Sequence, residues 1–220
     1  MRLFRGNSAH SGTSGVSTQG QPLGPRLSSI YTEALWLLPG QPVWAINLSG
    51  QSLSDESFLS FVLEELDNHG IDPWWICFEI TETAAIAALS RARHFIDTLT
   101  TQGCSFALDD CGTGLSSYAY LRTLPVDYLK IDGTFVDEII KDPIAAEMVD
   151  SINQIGYLMG IKTVTEFVES NEIREKLLKM GIDYAQGYAI DKPQPLEEVL
   201  KKRRANDNLA VQPAPAKRTA

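Results

Sequence analysis

The sequence predicts an α/β fold, an incomplete TIM-type (β/α) barrel with about six of the eight strands that a closed barrel needs. Three observations carry this. Short apolar runs alternate with longer segments of helical periodicity from residue 43 to about residue 200. The segments between the runs are long enough for crossover helices, which go with parallel pairing. The polar residues of the runs gather at their C-terminal ends, where barrel enzymes carry their chemistry.

Taken in order, residues 1–26 are rich in Gly, Ser, Thr and Gln, contain no acidic residue and are expected to stay disordered. Leu27, Ile30, Tyr31, Ala34, Leu37 and Leu38 recur at helical spacing, so a helix stopped by Pro39-Gly40 is expected. Val43–Leu48 reads as the first strand. Ser54-Asp55 caps a helix to about Asn68, with Gly70 as its stop. Ile76–Thr81 is the second strand, followed by a helix from Ala84 to Gln102 that Gly103 ends. Ser105–Asp109 is the third, followed by a Gly-rich turn and a short helix near Ser117–Leu121.

Tyr128–Ile131 is the fourth strand. Asp142-Pro143 supplies a cap and a first-turn proline for a helix with Ile144, Met148, Val149, Ile152 and Ile155 on one face. Lys162–Thr165 is the fifth strand, Ser170 caps the next helix, Gly181 closes it, and Tyr184–Gln186 is the sixth. Six strands leave Val43–Leu48 and Tyr184–Gln186 as open edges that invite pairing with another chain. The tail, 201–220, opens with Lys201-Lys202-Arg203-Arg204, is Pro- and Ala-rich and reads as flexible. The expected organisation is thus 1–26, a partial barrel over 27–200, and the tail.

The 220 residues, 44% hydrophobic and 21% charged, suffice for one buried core. A formal charge of −9 argues against broad attraction to a nucleic acid polymer, so a phosphate-bearing ligand would need a local attractor. Cys77, Cys104 and Cys111 have no CxxC spacing, which argues against a disulfide framework or zinc and for reduced thiols in the cytoplasm. His10, His69 and His94 are scattered and carry no metal-ligand spacing. No apolar run reaches the roughly 18 residues of a membrane span, and Arg2 and Arg5 precede no apolar segment of a secretory signal.

The strand ends supply the chemistry. They carry Asn47, then Glu79 and Glu82, Asp109-Asp110, Lys130 and Asp132, Glu166 and Glu169, and Gln186. Carboxylates with a side-chain amide oxygen suit Mg²⁺ or Mn²⁺ rather than zinc. One lysine among them can set a point charge near a phosphoryl oxygen or orient a water. A single strand-end acid is explained by helix capping; polar groups at six ends exceed what capping explains. In Asp109–Gly114 the glycines Gly112 and Gly114 allow close backbone approach to a ligand, although a plain βα turn uses the same residue types.

Asn47-Leu48-Ser49, Glu79-Ile80-Thr81-Glu82, Asp109-Asp110-Cys111-Gly112-Thr113-Gly114, Lys130-Ile131-Asp132, Glu166-Phe167-Val168-Glu169 and Gln186-Gly187-Tyr188 together resemble the EAL domain. That family comprises bacterial phosphodiesterases that open cyclic di-GMP to linear pGpG. The resemblance implies metal ligation by Asn47, Glu79 and Asp109, with Asp110 serving a second ion. It implies contact of Lys130 with the phosphate or the attacking water, and Glu166 near that water as general base or second-metal partner. It further implies that Glu82 braces the Asp109–Gly114 loop, that Glu169 and Gln186 complete the pocket, and that Asp132, Gly112 and Gly114 lend substrate or loop support. The implied reaction is hydrolysis of one phosphodiester by a water activated beside divalent ions.

The family pattern starts with a hairpin bearing the Glu-Ala-Leu of its name, and the expectation here is an N-terminally truncated domain that lacks this glutamate. Glu33-Ala34-Leu35 spells the motif, but on the helix reading of 27–38 it stands mid-helix, away from the strand-end mouth. The family residues Phe and Gly are replaced by Cys111 and Phe167. Three readings stay open: a phosphodiesterase impaired by the loss or completed by a homodimer or partner chain, an inactive cyclic di-GMP-binding module, and a remnant of a longer signalling protein. Another Mg²⁺-dependent barrel enzyme acting on a phosphorylated small molecule is a further alternative, against which the motif order argues.

Overall fold

The computed structural model describes residues 2–3, 31–38, 41–112, 119–190 and 192. Its centre is one sheet of strands β1 (Arg2–Leu3), β2 (Tyr31–Leu38), β3 (Gln41–Leu48), β4 (Ile76–Thr81), β5 (Ser105–Cys111), β6 (Tyr128–Ile131), β7 (Lys162–Thr165) and β8 (Tyr184–Ala185). The spatial order is β1-β8-β7-β6-β5-β4-β3-β2. The six strands from β3 to β8 are parallel neighbours in chain order and form a half-barrel of the expected α/β class.

Two expectations change at the edges. Tyr31–Leu38 is a strand and not the end of a helix: it runs antiparallel to β3, with Tyr31 opposite Asn47 and Leu38 opposite Gln41. Residues 27–30 and the expected stop at Pro39-Gly40 lie outside the described residues. The near-continuous apolar run Tyr-Thr-Glu-Ala-Leu-Trp-Leu-Leu fits helix and strand periods alike, and the ladder to β3 decides between them. Neither predicted edge is bare, since β2 covers β3 and β1 pairs parallel with β8. Arg2 and Leu3 stand within the stretch expected to be unordered; residues 4–26 and the tail 201–220 lie outside the described residues.

The helices follow their start and stop residues. Before α2 comes α1 (Gly50–Leu53), one turn capped by Ser49 that the sequence did not signal. In α2 (Glu56–Asn68) the Asp55 carboxylate accepts from Ser57 N, supplying the cap. The helix expected from Ala84 to Gln102 is two, α3 (Glu82–Ala87) and α4 (Leu89–Gln102), broken at Ala88 with φ −132° and ψ 42°. Residues 117–118 lie outside the described residues, and Tyr120–Thr123 form a 3₁₀ turn where a short helix was expected. A turn of helix unforeseen from sequence, α5 (Gly133–Glu138), is capped by Asp132. Caps at Asp142 and Ser170 open α6 (Pro143–Met159) and α7 (Asn171–Lys179).

Strand alternation sorts the sheet into two faces. Outward, Phe78 and Phe106 pack with Phe95 of α4, which stacks on Phe58 of α2 with centroids 6.1 Å apart. Truncating a fully buried ring such as Phe106 would cost about 3–5 kcal/mol. The other face holds a layer of mostly small residues, Val43, Ala45, Cys77, Ala107, Val164 and Tyr184, with Tyr128 against it. Two residues further along each strand stand Asn47, Glu79, Asp109, Lys130, Glu166 and Gln186. Strand periodicity thus sets one polar layer above one apolar layer at the C-terminal ends.

Candidate metal and phosphodiester site

Lys130 is the hub of that polar layer. From the end of β6 its Nζ lies 3.0 Å from Glu79 Oε2, 3.0 Å from Asp109 Oδ1 and 2.9 Å from Glu166 Oε1. The Lys130 side chain is only 4% exposed. Burial disfavours its charge, but the three carboxylates outweigh burial and hold the ammonium well above its usual range.

The carboxylates respond in the opposite sense. Burial raises Glu79 to about 7, Lys130 opposes this, and Asp109 and Glu166 add to it. Burial also raises Glu166, Lys130 opposes this, and Asp109 and Asp110 add to it. Asp110, at φ 57°, is raised by partial burial and by Asp109 and Asp132. Its backbone N–H donates to Asp109 Oδ1 at 3.0 Å, which helps orient the Asp109 carboxylate.

Glu82 heads α3 and joins the end of β5 to the turn at Tyr120. Its Oε2 accepts from Gly112 N at 3.2 Å, and its Oε1 accepts from Tyr120 OH at 2.6 Å. Gly112 has φ 102°, and a Cβ there would meet Ile152 Cδ1 at 2.9 Å and Phe135 Cε2 at 3.0 Å, so glycine answers both conformation and space. Gly114 lies outside the described residues.

The sequence-derived residues therefore divide. Glu79, Asp109, Lys130 and Glu166 converge directly, and Asp110 adjoins them. Asn47 stands opposite Glu79 in the parallel register of β3 and β4. Gln186 follows β8, its backbone N–H donating to Thr165 O at 2.8 Å. Asp132 faces its own helix, accepting from Thr134 N at 2.8 Å. Glu169 is exposed. Tyr120 was not foreseen from the sequence; its only signal was an aromatic residue shortly after the Gly-rich turn.

A divalent cation fits this donor set. Oxygen atoms of Asp109, Asp110 and Glu166 come within 4.8 Å of one another. Glu79 Oε1 and Gln186 Oε1 are buried without a hydrogen-bond partner among the described residues. Buried oxygens left unpaired are costly, and a hard cation would satisfy them.

The EAL domain model matches residues 26–193. The cyclic di-GMP phosphodiesterase PdeB of Shewanella oneidensis is 46% identical over 167 residues, 74% of this chain and 20% of the relative. PdeF of Escherichia coli, also a cyclic di-GMP phosphodiesterase, is 41% identical over 157 residues, 71% of this chain and 21% of that protein. The chain thus spans about a fifth of the length of these curated relatives. Among solved structures, the PaMucR phosphodiesterase in complex with c-di-GMP superposes with a TM-score of 0.67 at 32% identity, over 70% of this chain and 63% of the other. The EAL domain of Mycobacterium smegmatis DcpA gives 0.68 at 31% identity, over 74% and 73%.

Proposed function

The chain belongs to the EAL domain family, and on that premise we propose that it binds cyclic di-GMP and hydrolyses one of its phosphodiesters to give pGpG. The observation that carries this reading is the Lys130-centred cluster of Glu79, Asp109 and Glu166, with Asp110 beside it. The all-oxygen donor set favours Mg²⁺ or Mn²⁺, which Asn47, Glu79, Asp109 and Asp110 would hold. When bound, such an ion neutralises phosphoryl charge and acidifies the attacking water.

The chain's own groups do the rest. Glu166 accepts the proton of the water that attacks phosphorus, and burial raises its carboxyl above the usual range. The new P–O bond forms as the bond to the ribose 3′ oxygen breaks, and the leaving oxygen takes up a proton. Lys130 keeps Glu166 and Asp109 in register and offsets charge on the phosphate. Glu82, bonded to Gly112 and Tyr120, braces the end of β5 just beyond Asp109 and Asp110.

Calorimetric titration with a nucleotide panel in the presence of Mn²⁺ tests the substrate class. Cyclic di-GMP is expected to bind more tightly than GMP or other cyclic nucleotides. Equal or absent binding of all of them would contradict the reading.

A further inference from the structure

The turn between Glu166 and Val168 carries a residue that the reaction does not by itself require. Phe167 has φ 52° and is 60% exposed. A bulky side chain in the left-handed region is strained, and one so exposed regains little by burial. Its ring lies on Gly133: a Cβ built there would fall 2.0 Å from Phe167 Cδ2 and 2.6 Å from Cγ. Gly133 opens α5, three residues after Lys130. On the other side, Val168 is fully buried, its N–H donating to Gln186 O at 3.0 Å and its carbonyl accepting from Ala189 N at 2.8 Å. Glu166 N–H donates to Ile131 O at 3.4 Å. The Glu166 backbone is thus tied to β6 before the turn and to the β8 loop after it, with the Phe167 ring closing the gap over α5.

We propose that Phe167 is a positioning residue, whose ring, seated on the bare Cα of Gly133, holds the left-handed turn that aims Glu166 at Lys130. Its consequence for metal binding rests on the function proposed above; the geometric claim does not.

The test is acetylation of Lys130 by acetic anhydride in the ion-free full chain, read by peptide mass spectrometry. Burial and three carboxylates protect the wild-type amine. Phe167→Gly removes the ring yet tolerates the positive φ, and is expected to raise Lys130 labelling about fivefold through local opening. Gly133→Ala, which displaces the ring, is expected to do the same. The double variant is expected to label no faster than Phe167→Gly alone. Phe167→Tyr keeps the ring and is expected to label as wild type.

Alkylation of Cys77, fully buried on the same sheet face, reports general loosening and is expected to stay slow throughout. Unchanged Lys130 labelling in both single variants, or Cys77 labelling that rises in parallel, would overturn the proposal. Mn²⁺ titration of the same samples is expected to show about tenfold weaker binding in Phe167→Gly. A wild-type chain that binds no Mn²⁺ would defeat the proposed function while the labelling still decides the role of Phe167.

Discussion

Lys130 Nζ meets Glu79 Oε2 at 3.0 Å with the two side chains 4% and 3% exposed, while Oε1 of the same glutamate has no hydrogen-bond partner among the described residues. The pair satisfies half of a buried carboxylate. Burial leaves Glu79 raised to about 7 even with an ammonium beside it. Lys130 thus links the three carboxylates, while Glu79 Oε1 is oriented where a cation could take it up.

Removing the lysine should expose that dependence. Lys130→Met strands Glu79, Asp109 and Glu166 together without a cation, and breaking a buried pair this way costs about 3–5 kcal/mol. Urea unfolding of ion-free protein measures it. A loss below about 1 kcal/mol would mean that the cluster is already neutralised by protons.

The pH dependence has a definite sign. A carboxyl raised from 4.5 to about 7 on folding holds its proton longer in the folded state. Its contribution is fully present below pH 4.5 and is lost as pH rises through 7. Ion-free protein should therefore lose several degrees of melting temperature between pH 5 and 8 from this group. Glu79→Gln should flatten that fall; an identical slope in both proteins would place the titration elsewhere.

Tyr120→Phe removes the donor to Glu82 Oε1. A hydrogen bond to a charged acceptor is worth about 1.5–3 kcal/mol, and this loss should appear in urea unfolding. Amide exchange at Gly112, which donates to the same carboxylate, should speed up as well. Exchange unchanged from wild type would show that the Gly112 bond does not depend on the Tyr120 hydroxyl.

The three thiols should be silent in the native state. Cys77, Cys104 and Cys111 are free and buried, and burial raises all three, Cys104 to about 12. Ellman's reagent should find no fast-reacting thiol until denaturant is added. A rapid native reaction would contradict this packing.

The half-barrel and much of the site were legible because both rest on local periodicity. Alternation alone lifts Glu79 above Cys77, Asp109 above Ala107 and Lys130 above Tyr128. What stayed hidden is non-local or ambiguous. Tyr31–Leu38 carries no period that separates strand from helix, and pairing with β3 decides it. The break at Ala88 has no glycine or proline to announce it. Lys130 reaches Glu79 across 51 residues, over the intervening strand β5. Asp132, at the end of its strand, caps α5 and also adds to the raised Asp110.

Turnover of cyclic di-GMP by the purified chain with Mn²⁺, beside Glu166→Gln, tests the central claim most directly. The account predicts pGpG from the wild type and at least about 100-fold less from the variant, the scale of a lost general base. No product from the wild type, or equal product from both, would contradict it.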